Sequence, residues 1–175
     1  MTLHADSPAA IDLALDAFAS TARSGASLDI SDGLEHWGPQ SAETWARIQR
    51  LGLSAGVILE DPSFSQGDWP HLGAPPDVPV SLTCDLMAGA PDPLTFLSAA
   101  ATTRAAGSRS VADWLPNVTA DASARCGTGS ILGSLKVGAY ADFAFLDRDP
   151  RNVGLRNASE IECKGTWLGG REVRA

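Results

Sequence analysis

The sequence predicts an α/β chain, a parallel sheet built from successive βα units and followed by a small all-β appendage. Short apolar runs of strand length alternate with segments of helical apolar periodicity. The ends of the expected strands fall near His4, His36, Glu60 and Asp85, steps of 32, 24 and 25 residues, against the roughly 30 residues of one βα unit. Beyond Trp114 the character changes to two-residue alternation, closing on a Gly169-Gly170 hairpin signal.

A strand end at His4 leads into a helix from Pro8 to Ala22, because Pro8 suits a first helical position and Ile11, Leu15 and Phe18 recur at spacings of four and three. "SLDISDGLEH", residues 27–36, reads as a strand running to His36. Ser41 caps a helix through Arg50, with Trp45 and Ile48 on its inner face and Gly52 as its stop. "LSAGVILE", residues 53–60, has the compact apolar character of a parallel strand buried on both faces. A long Pro- and Gly-rich loop follows, then a strand over 78–85 and a helix over 93–105 opened by Asp92-Pro93. Residues 115–130 are small and polar and read as a connector, and "GTGSILGS" within it and just beyond lacks the lysine of a phosphate-binding loop. "GAYADFAFLD" and "IECKGTWLGGREVR" supply the terminal strands. The domain boundary is expected near residue 126, with 1–126 carrying the βα units and 127–175 the β appendage.

Composition narrows the function classes. The 175 residues are 44% hydrophobic with a formal net charge of −8, enough apolar content for a globular core and too acidic for a phosphate-binding surface. Neither a nucleic acid nor a membrane is expected as a partner, since no apolar run approaches the roughly 20 residues of a spanning helix. Cys84, Cys126 and Cys163 form no Cys-x-x-Cys pair, which suggests reduced thiols, and no signal-peptide pattern opens the chain, so a cytoplasmic protein is expected. The five tryptophans, Trp37, Trp45, Trp69, Trp114 and Trp167, are expected as packing residues, with Trp37 placed to wall a pocket mouth.

The chemistry sits at the strand ends. His4, His36 and Asp85 each follow an expected strand, and in a (β/α) barrel such positions converge on one mouth. Two imidazoles and a carboxylate suit zinc or another divalent metal with an open position for water. Each has an ordinary reading as well: His4 as a surface or capping residue, His36 as a histidine with no metal role, Asp85 as a helix-side cap. His71 reads as a plain loop residue, and Glu35 and Glu60 as partners of the ligands or as solvated carboxylates.

Four ordered segments resemble the amidohydrolase superfamily, in particular its family-3 metal-dependent hydrolases. "HADSPAAIDLALDAF" is similar to the segment opening on that family's fifth-strand metal histidine, and "GLEHW" to the Arg-Ile-Glu-His stretch of the sixth strand. "TCDLMAGAPDPLTFLSAA" resembles the Gly-Ser-Asp segment with the eighth-strand aspartate, and "ILGSLKVGAYADFAFLDRDP" with "TWLGGREV" resembles the closing signature. The resemblance implies the C-terminal half, strands five to eight, of a (β/α)8 TIM-type barrel with a C-terminal β-sandwich segment. It implies metal ligation by His4 and His36, Asp85 as general base in contact with the metal-bound water, and hydrolysis of C–N bonds in an amide or N-acyl small molecule.

The sequence also departs from that family. Ser7-Pro8 replaces Gly-Asp, Gly33 stands where the arginine is usual, and Thr83-Cys84 replaces Gly-Ser. Strands one to four, with their His-x-His pair and bridging lysine, have no counterpart. Half a barrel is expected to expose two sheet edges and an apolar inner layer. Such a surface calls for a homodimer or for a partner chain that supplies the front half. The rival expectation is an inactive remnant or binding subunit.

Overall fold

The computed structural model describes residues 1–35, 41–58, 77–83, 93–100 and 111–174. Four short strands form one parallel sheet in sequence order: β1 (Thr2–His4), β2 (Gly33–Glu35), β3 (Ser54–Ile58) and β4 (Val80–Thr83). Helix α1 (Pro8–Arg23) connects β1 to β2, and α2 (Ala42–Leu51) lies between β2 and β3. Parallel pairing of consecutive strands requires this kind of crossover.

The helices begin and end where the sequence places them. Ser7 Oγ accepts from Ala10 N at 3.3 Å with Pro8 at the first helical position, and Ser41 Oγ accepts from Thr44 N at 3.2 Å. Gly52 ends α2 at φ 66°, a left-handed conformation that costs a glycine little. The buried faces are Ile11, Ala14, Leu15 and Phe18 on α1, and Thr44, Trp45 and Ile48 on α2. They pack against Leu34, Ala55, Val57 and Val80, which the register places on one side of the sheet. Outside, Arg47 clamps the two helices together through Asp12 at 2.9 Å and Asp16 at 2.6 Å.

Three expectations are corrected. The strand read over 27–36 is confined in the described residues to Gly33–Glu35, because the preceding residues turn on their own side chains. Asp29 Oδ1 accepts from Ser31 N at 2.8 Å, and Asp32 Oδ2 accepts from Asp29 N at 3.0 Å, a local alternative to strand pairing that aspartate favours. The connector read over 115–130 holds two short helices, α4 (Leu115–Val118) and α5 (Ala120–Arg125). The inner face of the sheet is not a continuous apolar layer: among the described residues the row that alternates with the core residues comprises Thr2, His4, Gly33, Glu35, Ser54, Gly56, Ile58, Ser81 and Thr83, with Ile58 its one large apolar member.

Helix α3 (Pro93–Ala100) starts where expected, and the continuation read to 105 lies outside the described residues. The tail then returns to the barrel-like body. A 3₁₀ segment, Leu155–Glu160, packs on α3, Ser98 Oγ donates to Arg156 O at 2.9 Å, and Ala158 and Ile161 join the main core. Trp45 and Trp114 are buried, in keeping with a packing role. Trp37 and Trp69 fall outside the described residues.

A separate antiparallel sheet closes the chain, with β5 (Phe143–Leu146), β6 (Cys163–Leu168) and β7 (Arg171–Arg174) in that order. Gly169 at φ 57° and Gly170 at φ 77° make the β6–β7 turn, as the sequence predicts. Phe143 stacks on Trp167 with ring centroids 4.8 Å apart.

Candidate metal centre

Parallel strands present all their carboxyl ends at one edge, so the last residues of β1, β2, β3 and β4 lie at the same edge of the sheet. His4 is the last residue of β1 and belongs to the polar inner row. Its imidazole is 59% exposed, with Nε2 3.6 Å from Asp6 Oδ2, so it stands at the mouth rather than inside the core. Directly across, Glu35 is its register partner on β2. The backbone joins the two strand ends further on, where Ala5 N donates to Glu35 O at 3.0 Å.

Of the other expected site residues, His36, Glu60, His71 and Asp85 lie outside the described residues. By sequence His36 directly follows β2, and Asp85 comes two residues after β4. Among the described residues no three His, Cys, Asp or Glu side chains come together in a way that could hold a metal. The described part of the mouth does contain a polar group suited to a polar occupant. Thr83 Oγ1, at the end of β4 on the inner row, is buried and has no hydrogen-bond partner among the described residues. A buried hydroxyl left this way is costly unless something polar meets it. Together with the imidazole–imidazole–carboxylate set expected from the sequence, this is the donor chemistry that suits a divalent metal and its water.

Below the mouth, one side chain organises the inner face. Arg125, the last residue of α5, is 9% exposed and reaches over β2, β3 and β4. Its Nε donates to Ser54 Oγ at 3.1 Å, Nη1 to Ser81 Oγ at 2.7 Å, and Nη2 to Leu34 O at 3.4 Å and to the Glu35 carboxylate. Gly56 makes room for it, since a Cβ there would collide with Arg125 Nη1 and both Glu35 oxygens. Eight residues earlier, in α4, Asn117 Nδ2 donates to Val80 O at 2.7 Å, satisfying a carbonyl of the edge strand, and to Asp121 Oδ2 at 3.2 Å. Burial holds the Asp121 carboxyl above its ordinary value, with the Asn117 amide opposing that shift.

Sequence reasoning missed this network. Asn117, Asp121 and Arg125 recur every four residues, the spacing of one helical face, but they stand in a segment read as a connector. The alternation of Ser54 and Gly56 within an apolar run was the matching signal on the sheet.

The comparisons with known proteins decide the family. The sequence pattern of the amidohydrolase family matches residues 1–174. The chain belongs to the amidohydrolase family. By sequence no curated protein matches it. Among solved structures, an adenosine deaminase from Xanthomonas campestris with bound zinc is similar at 17% identity and a TM-score of 0.72, over 98% of this chain and 44% of that one. An N-isopropylammelide isopropylaminohydrolase from Burkholderia multivorans is similar at 20% identity and a TM-score of 0.70, over 98% and 46%. An amidohydrolase from Thermotoga maritima is similar at 19% identity and a TM-score of 0.63, over 99% and 43%. This amidohydrolase chain thus spans less than half the length of these solved structures. Its parallel sheet and flanking helices are those of a partial (β/α)8 barrel.

Proposed function

We propose that the chain is the C-terminal half, residues 1–126 with the β appendage 127–175, of a metal-dependent hydrolase acting on C–N bonds other than peptide bonds. Membership of the amidohydrolase family carries the reading, and the placement of His4 at the carboxyl edge of a parallel sheet agrees with it. The residues that would hold the metal are His4 and His36. A divalent ion there, with zinc the first candidate, supplies Lewis-acid polarisation of a carbonyl or amidine carbon and makes water a nucleophile near neutral pH.

Asp85 is the general base. Its carboxylate takes a proton from the attacking water and returns it to the departing nitrogen, so that one residue serves both halves of the reaction. An amide, cyclic amide or N-acyl small molecule fits such a site. The three-stranded terminal sheet is read as part of a β-sandwich whose other strands come from the front half.

A front half completes the site, because the barrel's remaining strands have no counterpart in a chain that covers 44% of the zinc-bound neighbour. A partner chain or a further segment of the same polypeptide is the proposed source, and a homodimer that covers the β1 edge is the alternative. The test is hydrolysis of a panel of N-acyl amino acids and cyclic amides by the chain with zinc, alone and with a front-half chain carrying a His-x-His pair. Activity lost in both His4→Ala and Asp85→Asn is expected. Activity unchanged in both variants removes the proposal, and folded, zinc-loaded protein inactive even with the front half favours a binding subunit.

A further inference from the structure

We infer that Arg125 is a positioning residue for the metal site, acting through Glu35, which is the register partner of His4 and precedes His36 in the sequence. The inference rests on the metal-site reading above and concerns how that site is built.

Glu35 is tied on every side to something that matters for the mouth. Its carbonyl accepts from Ala5 N at 3.0 Å, next to His4, and its own peptide bond leads to His36. Its carboxylate is held by Arg125. Arg125 in turn is fixed by the Ser54 and Ser81 hydroxyls, on the next two strands, and by the Leu34 carbonyl. A guanidinium presents its donors in a rigid fork, so partners on three strands fix its plane and the direction from which it meets the carboxylate.

Three features of the sheet accommodate this side chain. Ser54 and Ser81 offer hydroxyls where an apolar strand buried on both faces would carry valine or isoleucine, and Gly56 has no side chain where one would strike the pair. A simple tail anchor would need only the pairing energy. Contact with the register partner of His4, the residue that also precedes His36 in the sequence, is what assigns a positioning role, of the kind by which outer partners orient metal ligands.

The experiment measures the zinc dissociation constant of the 175-residue chain by competition with a chromophoric chelator. Arg125→Met, Arg125→Lys, Glu35→Gln and the double variant Arg125→Met/Glu35→Gln are compared with Ile48→Val, a core change on the opposite side of the sheet. The inference expects Arg125→Met and Glu35→Gln each to weaken zinc about tenfold or more, the double variant to weaken it no further, and Arg125→Lys to restore part of the loss. Ile48→Val keeps the affinity of the parent chain. If Arg125→Met does not fold, Glu35→Gln, which keeps size and hydrogen bonding, carries the test. Parent-like affinity in folded Glu35→Gln overturns the inference while leaving the metal site standing, as does an equal loss in Ile48→Val. A parent chain that binds no zinc overturns the site itself and the inference with it.

Discussion

The guanidinium of Arg125 and the carboxylate of Glu35, 90 residues apart in sequence, meet above the bare backbone of Gly56. The meeting ties the last helix of the body to the end of β2, and the space it uses exists only because position 56 carries no side chain. Gly56→Ala is therefore expected to lower stability by about 1–3 kcal/mol, the usual cost of overpacking. Gly154, at φ −63° with nothing near its missing Cβ, gives the contrast. Gly154→Ala is expected to be neutral or stabilising by up to about 1 kcal/mol through the unfolded chain. Urea denaturation of the two variants reads both effects.

The layer of helices outside the sheet rests on a few large side chains. Phe18 and Leu15 of α1 are both fully buried against it. Phe18→Ala is expected to cost about 3–5 kcal/mol and Leu15→Ala about 2–5 kcal/mol. In a domain of ordinary stability either loss takes a large share of the total, so thermal unfolding at or below growth temperature is the expected readout.

Asp121 makes the inner face sensitive to pH. Burial raises its carboxyl pKa in the folded chain, so the folded state binds this proton more tightly than the unfolded chain does. Its contribution to stability is fully present below the unfolded carboxyl value and is lost as pH rises through the raised folded value. Asp121→Asn removes that loss. The variant is expected to be more stable than the parent at neutral pH, with the advantage vanishing on acidification. Equal stability at neutral pH would contradict the burial argument.

Asp147 has the opposite sign. It accepts from Glu162 N at 2.9 Å, and that hydrogen bond, aided by Arg148, holds its carboxyl below the ordinary value. Its stabilisation is present above the unfolded value and is lost as pH falls through the lowered folded one. Asp147→Asn is expected to be less stable than the parent at neutral pH and to converge with it in acid. Stability curves against pH for the two aspartate variants should thus approach the parent's from opposite sides.

Local signals in the sequence carried most of the fold. Ser7-Pro8, Ser41 and Gly52 mark helix ends through short-range hydrogen bonds and backbone preferences, and the structure places α1 and α2 within a residue of them. Asp29 and Asp32 misled the reading of β2 because two-residue alternation of Leu28 and Ile30 says nothing of side chains that turn the backbone locally. Small residues such as Ala120, Ala122 and Ala124 favour a helix as readily as a connector. The inner-face network was illegible for a different reason. Arg125 meets Ser54, Ser81 and Glu35 only through the order and register of three strands, which no window of sequence contains. At the site, His4 was legible as a strand-end residue, and the family signature linked it to His36 and Asp85.

The most direct test of the account is the amount of zinc and other divalent metals retained per chain by the purified protein, measured beside His4→Ala and His36→Ala. The proposed ligand pair predicts about one metal per chain, lost in each variant while their far-UV spectra stay unchanged. Metal content in the folded parent no higher than in the two variants would contradict it.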